Sequence, residues 1–443
     1  MKILSIETSC DETAISVLEC EFIGEKPNEK PVFKILGNAL HSQIETHADF
    51  GGVFPTLAKR EHIKNFTPIL ISALKSAGMI IEKSEDADQS KELVDDALSS
   101  LSDREQELRD QLQDFFSKYE KPDIDAIAIT TGPGLEPALW VGITGAKILS
   151  FIWQIPIIPV NHMEGHITSV LINEEKSNND QGRFEKGLEE GSKINFPAVA
   201  LLISGGHTEL VQVNSWGDYK LLGQTRDDAV GEAFDKVARI IGLKYPGGPK
   251  ISALAKRWRD GEFALQNNSA SIPWDLPRPM ITKKDCDFSF SGLKTSVLYA
   301  VRDNTKNSTT GEIKELTEGD KASLCAEFEQ AVTDVLISKT KRALEISGAN
   351  TLIIGGGVSA NTYIKESFKK MIENEFTFEN DEQNVTLLIP QKNLSTDNSL
   401  MIGIAGFLQY SKGHFIAKLD KDHLDWNQTE FPELRANGNL GLE

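Results

Sequence analysis

Apolar runs closed by short polar turns recur along the chain, and one such pattern occurs twice. Ile3-Leu4-Ser5-Ile6-Glu7 leads into the turn Thr8-Ser9-Cys10-Asp11-Glu12-Thr13 and returns through the apolar residues 14–18. Val199-Ala200-Leu201-Leu202-Ile203 leads into Ser204-Gly205-Gly206-His207-Thr208 and returns through residues 209–213. Each reads as a strand, a small turn and a second strand. One instance in each half suggests a duplicated α/β fold with a central cleft between two lobes, although a single repeat is also open to chance. Further strands are expected at 124–130, before Thr131-Gly132-Pro133-Gly134-Leu135, at 156–160, and at 351–354, before Gly355-Gly356-Gly357. Helical periodicity follows several of them, which favours alternating α/β architecture.

Residues 82–121 break the pattern. They are rich in Glu, Asp, Lys and Ser, while Val94, Leu98, Leu101, Leu108, Leu112 and Phe115 keep a heptad-like spacing interrupted at Glu105. This predicts an amphipathic helix or hairpin that packs one stripe on the body or presents it to a partner. Residues 173–194 read as a polar surface loop, and the chain after Leu419 as loop-like. The organisation expected is a first lobe of residues 1–160 plus about 395–420, carrying the 82–121 insertion. A second lobe covers 161–394, and 421–443 form a tail.

Composition narrows the classes. A chain of 443 residues that is 40% hydrophobic exceeds one ordinary core, so two domains are the natural expectation. No uninterrupted apolar run approaches the roughly 18 residues a bilayer span needs. The start, Met1-Lys2-Ile3, runs straight into a strand with no leader pattern, so a cytoplasmic location is expected. The four cysteines form no CxxC pair, which argues against a zinc ribbon and suits a reducing compartment. A net charge of −19 excludes indiscriminate nucleic-acid binding over the whole surface but leaves room for a local basic groove.

The sharpest local chemistry is His162-Met163-Glu164-Gly165-His166, behind Asn161, which is placed to cap a helix. Histidines at i and i+4 share a helical face and can hold one ion, or they can be an ordinary core or surface pair. The glutamate stands two positions after the first histidine, so the HExxH geometry of zinc peptidases is not reproduced. The turns at 204–208 and 355–361 let backbone N–H groups approach an anion or a flat ring, or are simply tight turns. Asn361 caps the next helix or reads a ligand. Residues 228–243 predict a helix with Glu232, Asp235 and Arg239 on one face, ordinarily a solvated one, running towards the rigid Tyr245-Pro246-Gly247-Gly248-Pro249 turn. Asp11 and Glu12 can hold or orient a cation, or serve the turn by local hydrogen bonds.

These blocks together resemble the tRNA N6-adenosine threonylcarbamoyltransferases, the TsaD family, in a bacterial form. The resemblance runs from Met1–Thr13 through Gly51-Gly52-Val53-Phe54-Pro55, Gly132-Pro133-Gly134-Leu135, the histidine segment, Ser204-Gly205-Gly206-His207-Thr208 and Gly231-Glu232-Ala233-Phe234-Asp235-Lys236. It continues through Phe288-Ser289-Phe290-Ser291-Gly292-Leu293-Lys294-Thr295 to Gly355–Asn361, in order over nearly the whole chain. It implies the duplicated actin/Hsp70/sugar-kinase fold. It also implies transfer of threonylcarbamoyl from threonylcarbamoyl-AMP to N6 of adenosine 37, in tRNAs reading codons that begin with A, with release of AMP.

By the same resemblance, His162, His166 and Asp397 hold one divalent metal, Fe2+ first and Zn2+ second. Leu202, Ile203, Ser204, Gly205, Gly206, Asp235, Gly248 and Asn361 contact substrate. Asp11 and Glu12 are the candidate catalytic carboxylates. The implied partners are tRNA, a degenerate TsaB-like paralogue and a TsaE-like P-loop ATPase, with no membrane. The segments 82–121 and 173–194 exceed what the family core needs. The competing readings are a metallopeptidase, a sugar kinase or ATPase of the same fold, and an inactive scaffold. The first lacks a placed base, and the last sits poorly with intact His162, His166, Asp235 and Asn361.

Overall fold

Alternating apolar runs become strands wherever a glycine or polar turn ends them, and the longer amphipathic runs between them become helices. The computed structural model describes residues 1–24, 30–83, 91–99, 101, 105–172, 194–263, 273–305, 315–377, 384–419 and 432–442. It divides into two units: Met1–Thr46 with Val53–Ser192 and Asp397–Leu442, and His47–Gly52 with Lys193–Thr396.

In the first unit β1 (Lys2–Glu7), β2 (Glu12–Ile23) and β3 (Lys30–Ser42) form an antiparallel meander, followed by α1 (Ile44–Ala48). Helices α2 (Pro55–Ser76), α3 (Lys91–Ser99) and α4 (Gln106–Lys118) precede β4 (Ala126–Gly132). Then come α5 (Glu136–Trp153), β5 (Ile157–Asn161) and the short α6 (His162–Thr168). The sheet order is β3-β2-β1-β4-β5, with β4 and β5 parallel to β1. Leu4, Ile6, Ile127 and Ile129 pack in one core with Phe66 and Leu70 of α2 and Leu139 and Ile143 of α5. Full burial of one such side chain contributes about 1.5–3 kcal/mol.

The second unit repeats the plan. β6 (Ala198–Ile203), β7 (Thr208–Ser215) and β8 (Asp218–Gln224) form the meander, followed by α7 (Val230–Ile240), α8 (Gly247–Arg259), α9 (Ser291–Thr305) and α10 (Glu318–Ser347). A reciprocal capping box between Thr317 and Asp320 starts α10. β9 (Thr351–Gly355), α11 (Thr362–Glu375), β10 (Thr386–Leu388) and α12 (Lys392–Ser395) complete it. Its order, read from β8, is β8-β7-β6-β9-β10, the order of the first sheet, with β9 parallel to β6 and β10 parallel to β9. The duplication suggested by two similar turns is therefore a property of the whole topology. Two five-stranded sheets with this shared connectivity are the actin/Hsp70/sugar-kinase architecture expected. The chain then returns to the first unit as α13 (Ser399–Ser411), which packs on β1, β2, β5 and α6.

The structure draws the division elsewhere than at 160/161. Helix α6 stays with the first unit, because Met163 and Ile167 are buried and Gly165 lies against Met401 and Ile402 of α13. Residues 47–52 belong to the second unit, where the Arg239 guanidinium donates to the Gly51 carbonyl. Residues 432–442, expected as a tail, are part of the first unit, with Leu434 1% exposed in its core. Within 82–121, Val94, Leu98, Leu101, Leu108, Leu112 and Phe115 are all buried in that core, so the packed-stripe reading holds for the described residues. Residues 173–193 of the expected surface loop lie outside the described residues. Among the described residues no helix is long and apolar enough to cross a membrane.

Candidate metal centre and glycine turns

Asn161 ends β5 and caps α6, its side-chain oxygen accepting from the Met163 N–H at 2.8 Å. One turn of helix then puts His162 and His166 on the same face, with ring centroids 4.7 Å apart and planes nearly perpendicular. Asp397, just ahead of α13, supplies a carboxylate. His162 Nε2 lies 3.4 Å and His166 Nε2 3.2 Å from Asp397 Oδ1, and one ligand atom from each residue lies within 4.8 Å of the others. Donors bonded at about 2.1 Å to one ion at tetrahedral or octahedral angles sit roughly 3.0–3.4 Å apart. The two carboxylate separations match that spacing.

His166 is fully buried, yet among the described residues neither of its ring nitrogens has a hydrogen-bond partner. Its 3.2 Å approach to Asp397 is an ion-pair distance without hydrogen-bond alignment. A buried imidazole left this way costs about 1–3 kcal/mol unless something else satisfies it. The donor set therefore fits a metal ion.

The surroundings of His162 were not legible in the sequence. Glu7, fully buried at the end of β1, accepts from His162 Nδ1 at 3.0 Å and from the Thr130 hydroxyl at 2.6 Å. The Ser9 hydroxyl lies 3.2 Å from the same ring nitrogen. Holding Nδ1 in this way leaves Nε2 to face Asp397 and selects the tautomer a metal needs. The one available signal was a lone carboxylate ending an apolar strand. Burial alone would lower the His162 pKa, but Asp397 and Glu7 outweigh it and hold the ring well above the usual imidazole range. Burial dominates at His166 and pushes its pKa down. Burial opposes ionisation of Asp397, but His162 and His166 hold its carboxyl below the usual range. Glu164 is turned elsewhere, accepting from Gln409 of α13 at 2.7 Å. That contact removes the carboxylate that a peptidase reading would need.

Asp11 ends the turn after β1 and Glu12 opens β2, and both lie close enough to act electrostatically on neighbouring groups. Burial, then Asp11 and Asp397, raise the Glu12 pKa well above the carboxylate range. Buried His62 of α2 braces this turn through the Thr13 hydroxyl at 2.8 Å and the Cys10 carbonyl at 3.0 Å.

In the second unit Leu202 and Ile203 are fully buried at the end of β6, and Ser204, Gly205 and Gly206 form the turn beyond. The Ser204 hydroxyl accepts from the Gly206 and His207 N–H groups, at 3.3 and 3.0 Å, so two of the expected anion donors are used within the turn. Among the described residues a Cβ on Gly205 or Gly206 would meet nothing within 4 Å, so this backbone presents an open, side-chain-free face. The Gly231 N–H donates to the Ser204 carbonyl at 3.1 Å and brings the start of α7 to the turn. Gly356, at φ +89°, would place a Cβ 2.4 Å from the Ile203 carbonyl, which brings the β9 turn there too.

The charged face expected on α7 divides in three. Glu232 pairs with Lys236, Arg239 serves Gly51, and Asp235 accepts from the Gly247 N–H at 2.6 Å at the start of α8. Burial raises the Asp235 pKa against the Gly247 and Gly248 N–H groups. Asn361 caps α11 through Oδ1, and its Nδ2 donates to Ser252 at 2.8 Å and to Glu329 at 2.7 Å. Fully buried Glu329 also pairs with Arg259. Ser252, Arg259 and Glu329 were missed by sequence reasoning, because each stands unremarkably within a helical pattern.

A family model described as tRNA N6-adenosine threonylcarbamoyltransferase (TsaD) matches residues 34–86 and 110–404. Its gap falls on α3 and the first turn of α4, within the segment read as an insertion. Two solved structures are similar at low identity. One is full-length HypF in its phosphate- and nucleotide-bound form, at 11% identity and TM-score 0.40. The match covers 70% of this chain, which spans 42% of that one. The other is the activator of 2-hydroxyisocaproyl-CoA dehydratase from Clostridium difficile with bound ADPNP. It matches at 10% identity and TM-score 0.40, covering 93% of this chain and 97% of that one.

Proposed function

Because the chain belongs to the tRNA N6-adenosine threonylcarbamoyltransferase family, we propose that it transfers threonylcarbamoyl from threonylcarbamoyl-AMP to N6 of adenosine 37, in tRNAs reading codons that begin with A, and releases AMP. The observation that supports this most is the His162–His166–Asp397 group. In the reaction a bond forms between N6 and the carbamoyl carbon, the bond from that carbon to the phosphate oxygen breaks, and N6 gives up a proton. An adenine amine is a weak nucleophile because its lone pair is delocalised into the ring. Polarisation of the carbonyl and alignment of the two substrates are therefore the main demands.

A divalent ion on His162, His166 and Asp397 would supply Lewis acidity and a fixed template. Two histidines and one carboxylate suit Fe2+ first, with Zn2+ as the second choice. Glu7 fixes the His162 tautomer, and Asp11 or Glu12 receives the N6 proton. The side-chain-free face at Gly205 and Gly206 suits a flat adenine, with Leu202, Ile203, Ser204, Asp235, Gly248 and Asn361 as its neighbours. Both Asn361 Nδ2 hydrogens are engaged by Ser252 and Glu329, so Asn361 meets a ligand through the second lone pair of Oδ1. A TsaB-like paralogue and a TsaE-like P-loop ATPase are the partners proposed, in a cytoplasmic setting.

The test combines the protein with threonylcarbamoyl-AMP, unmodified tRNA and each combination of the two partners, followed by nucleoside analysis. The expected result is modified adenosine with one AMP released per transfer. Absence of modified adenosine under every partner combination defeats the proposal.

A further inference from the structure

Residues 432–442 lie beyond the family match and lie against the approach to the metal helix. Leu434 anchors the segment in the first unit's core. From there the Asn437 N–H donates to the Thr131 carbonyl at 2.9 Å, and the Gly134 N–H donates to the Gly438 carbonyl at 3.2 Å. The Gly438 N–H points at Glu136 Oε1, 3.4 Å away. Gly132, at φ +153°, lies so close beneath that a Cβ there would stand 2.0 Å from the Asn437 carbonyl oxygen. Only a residue without a Cβ admits the segment at this depth.

The last contact reaches the site. Asn161 Nδ2 donates to the Gly441 carbonyl at 2.8 Å, while Asn161 Oδ1 caps α6 one residue before His162. One amide thus joins the strap to the first turn of the helix that carries both histidines.

We infer that residues 432–442 act as a clamp that, through Asn161, fixes the start of α6 and so holds His162 and His166 in register for a metal ion. Asn161 and Gly441 are positioning residues, since neither offers an atom to the ion. The inference rests on the metal reading of His162, His166 and Asp397. Contacts that orient metal ligands from one layer out typically alter affinity by about 10–100-fold. A strap tied to the cap of a helix of about two turns falls at the lower end.

The test titrates Zn2+ into the metal-stripped full-length chain against a competing chelator. It compares wild type, Asn161→Ser, a chain shortened after residue 431, and the combination. Serine keeps an N-cap oxygen but cannot reach Gly441. Both single changes are expected to weaken Zn2+ about tenfold, with the combination no weaker than the shortened chain alone. A merely structural role lowers the metal-free melting temperature while leaving the Zn2+ dissociation constant unchanged, and that result overturns the clamp. If the shortened chain fails to fold, Asn161→Ser decides alone. No Zn2+ binding by the wild-type chain overturns the metal reading. Equal binding by wild type and Asn161→Ser overturns the clamp and leaves the metal reading intact.

Discussion

The two units place the same strand order under two different chemistries. At the end of β1 stands Glu7, buried and bonded to His162; at the matching end of β6 stands Ile203. The turn after β1 leads through Asp11 into Glu12 at the start of β2, whereas the turn after β6 carries Gly205 and Gly206. The first unit gathers four buried or nearly buried ionisable groups, Glu7, His162, His166 and Asp397, around one point. The second offers bare backbone and keeps the buried carboxylate of Glu329 behind Asn361. Charges brought together in a dry place demand a partner for each, and a metal ion meets that demand. Backbone turns ask for no such partner and suit a ligand that comes and goes. The scaffold sets where a strand ends, and the residue at that end decides the chemistry.

That contrast predicts which changes stay within their own unit. The largest effect is expected from His166→Ala, which removes the bound metal and the transfer activity together. Metal analysis and nucleoside analysis check it, and a variant that keeps both breaks the assignment. Next, Glu329→Ala removes the carboxylate that pairs with Arg259 and accepts from Asn361 Nδ2. Because Arg259 is partly exposed, the cost is at the low end for a broken buried pair, about 3 kcal/mol in denaturant unfolding. Zn2+ affinity is expected to be unchanged, and a loss there contradicts the separation of the two chemistries.

Glu7→Gln keeps the shape but not the charge behind His162. Zn2+ affinity is expected to fall about 10–100-fold, or 1.4–2.7 kcal/mol. Titration of the metal-stripped variant measures it, and an effect below threefold would show that Glu7 merely fills space.

The smallest effect is on pH dependence, and its sign follows from the shifts. In the metal-free chain Asp397 and Glu7 favour the protonated form of His162, which in turn favours their ionised forms: His162 titrates above its unfolded value, Asp397 and Glu7 below theirs. The His162 contribution to stability is complete below the unfolded imidazole range and is lost as pH rises through the folded value. The carboxylate contribution is complete above the unfolded carboxylate range and is lost as pH falls through the folded values. Metal-free stability is therefore best supported between those two ordinary ranges. A metal must displace the His162 Nε2 proton, so Zn2+ affinity is expected to climb with pH, about tenfold per unit while His162 remains protonated. A flat profile over neutral pH contradicts the raised His162 value.

Much of the site was legible from local pattern. The i, i+4 histidines, the Asn161 cap and the glycine turns are short-range features, and the structure has each in its expected element. Asp397 entered only through the family resemblance, since nothing in Ser395-Thr396-Asp397-Asn398 points to a histidine pair far along the chain. Spacing put Glu232, Asp235 and Arg239 on one face of α7, but helical spacing says which side chains share a face and not what meets it. Asp235 meets the start of α8 and Arg239 meets Gly51. The stripe of 82–121 was read correctly in kind, and its burial came from α2 and α5, which the pattern did not supply.

By itself the sequence determined the strands, the turns between them, the caps and the donor types, because those depend on neighbours a few residues apart. It also determined, through ordered blocks, the family. Tertiary structure decided the pairings: Glu7 with His162 across 155 residues, and Asn161 with Gly441 across 280. It also decided that α6 and residues 432–442 belong with β1 rather than with the chain around them. The physical reason is that a buried polar atom accepts whatever partner the packed sheet and helices bring within about 3 Å, and sequence distance does not enter that choice.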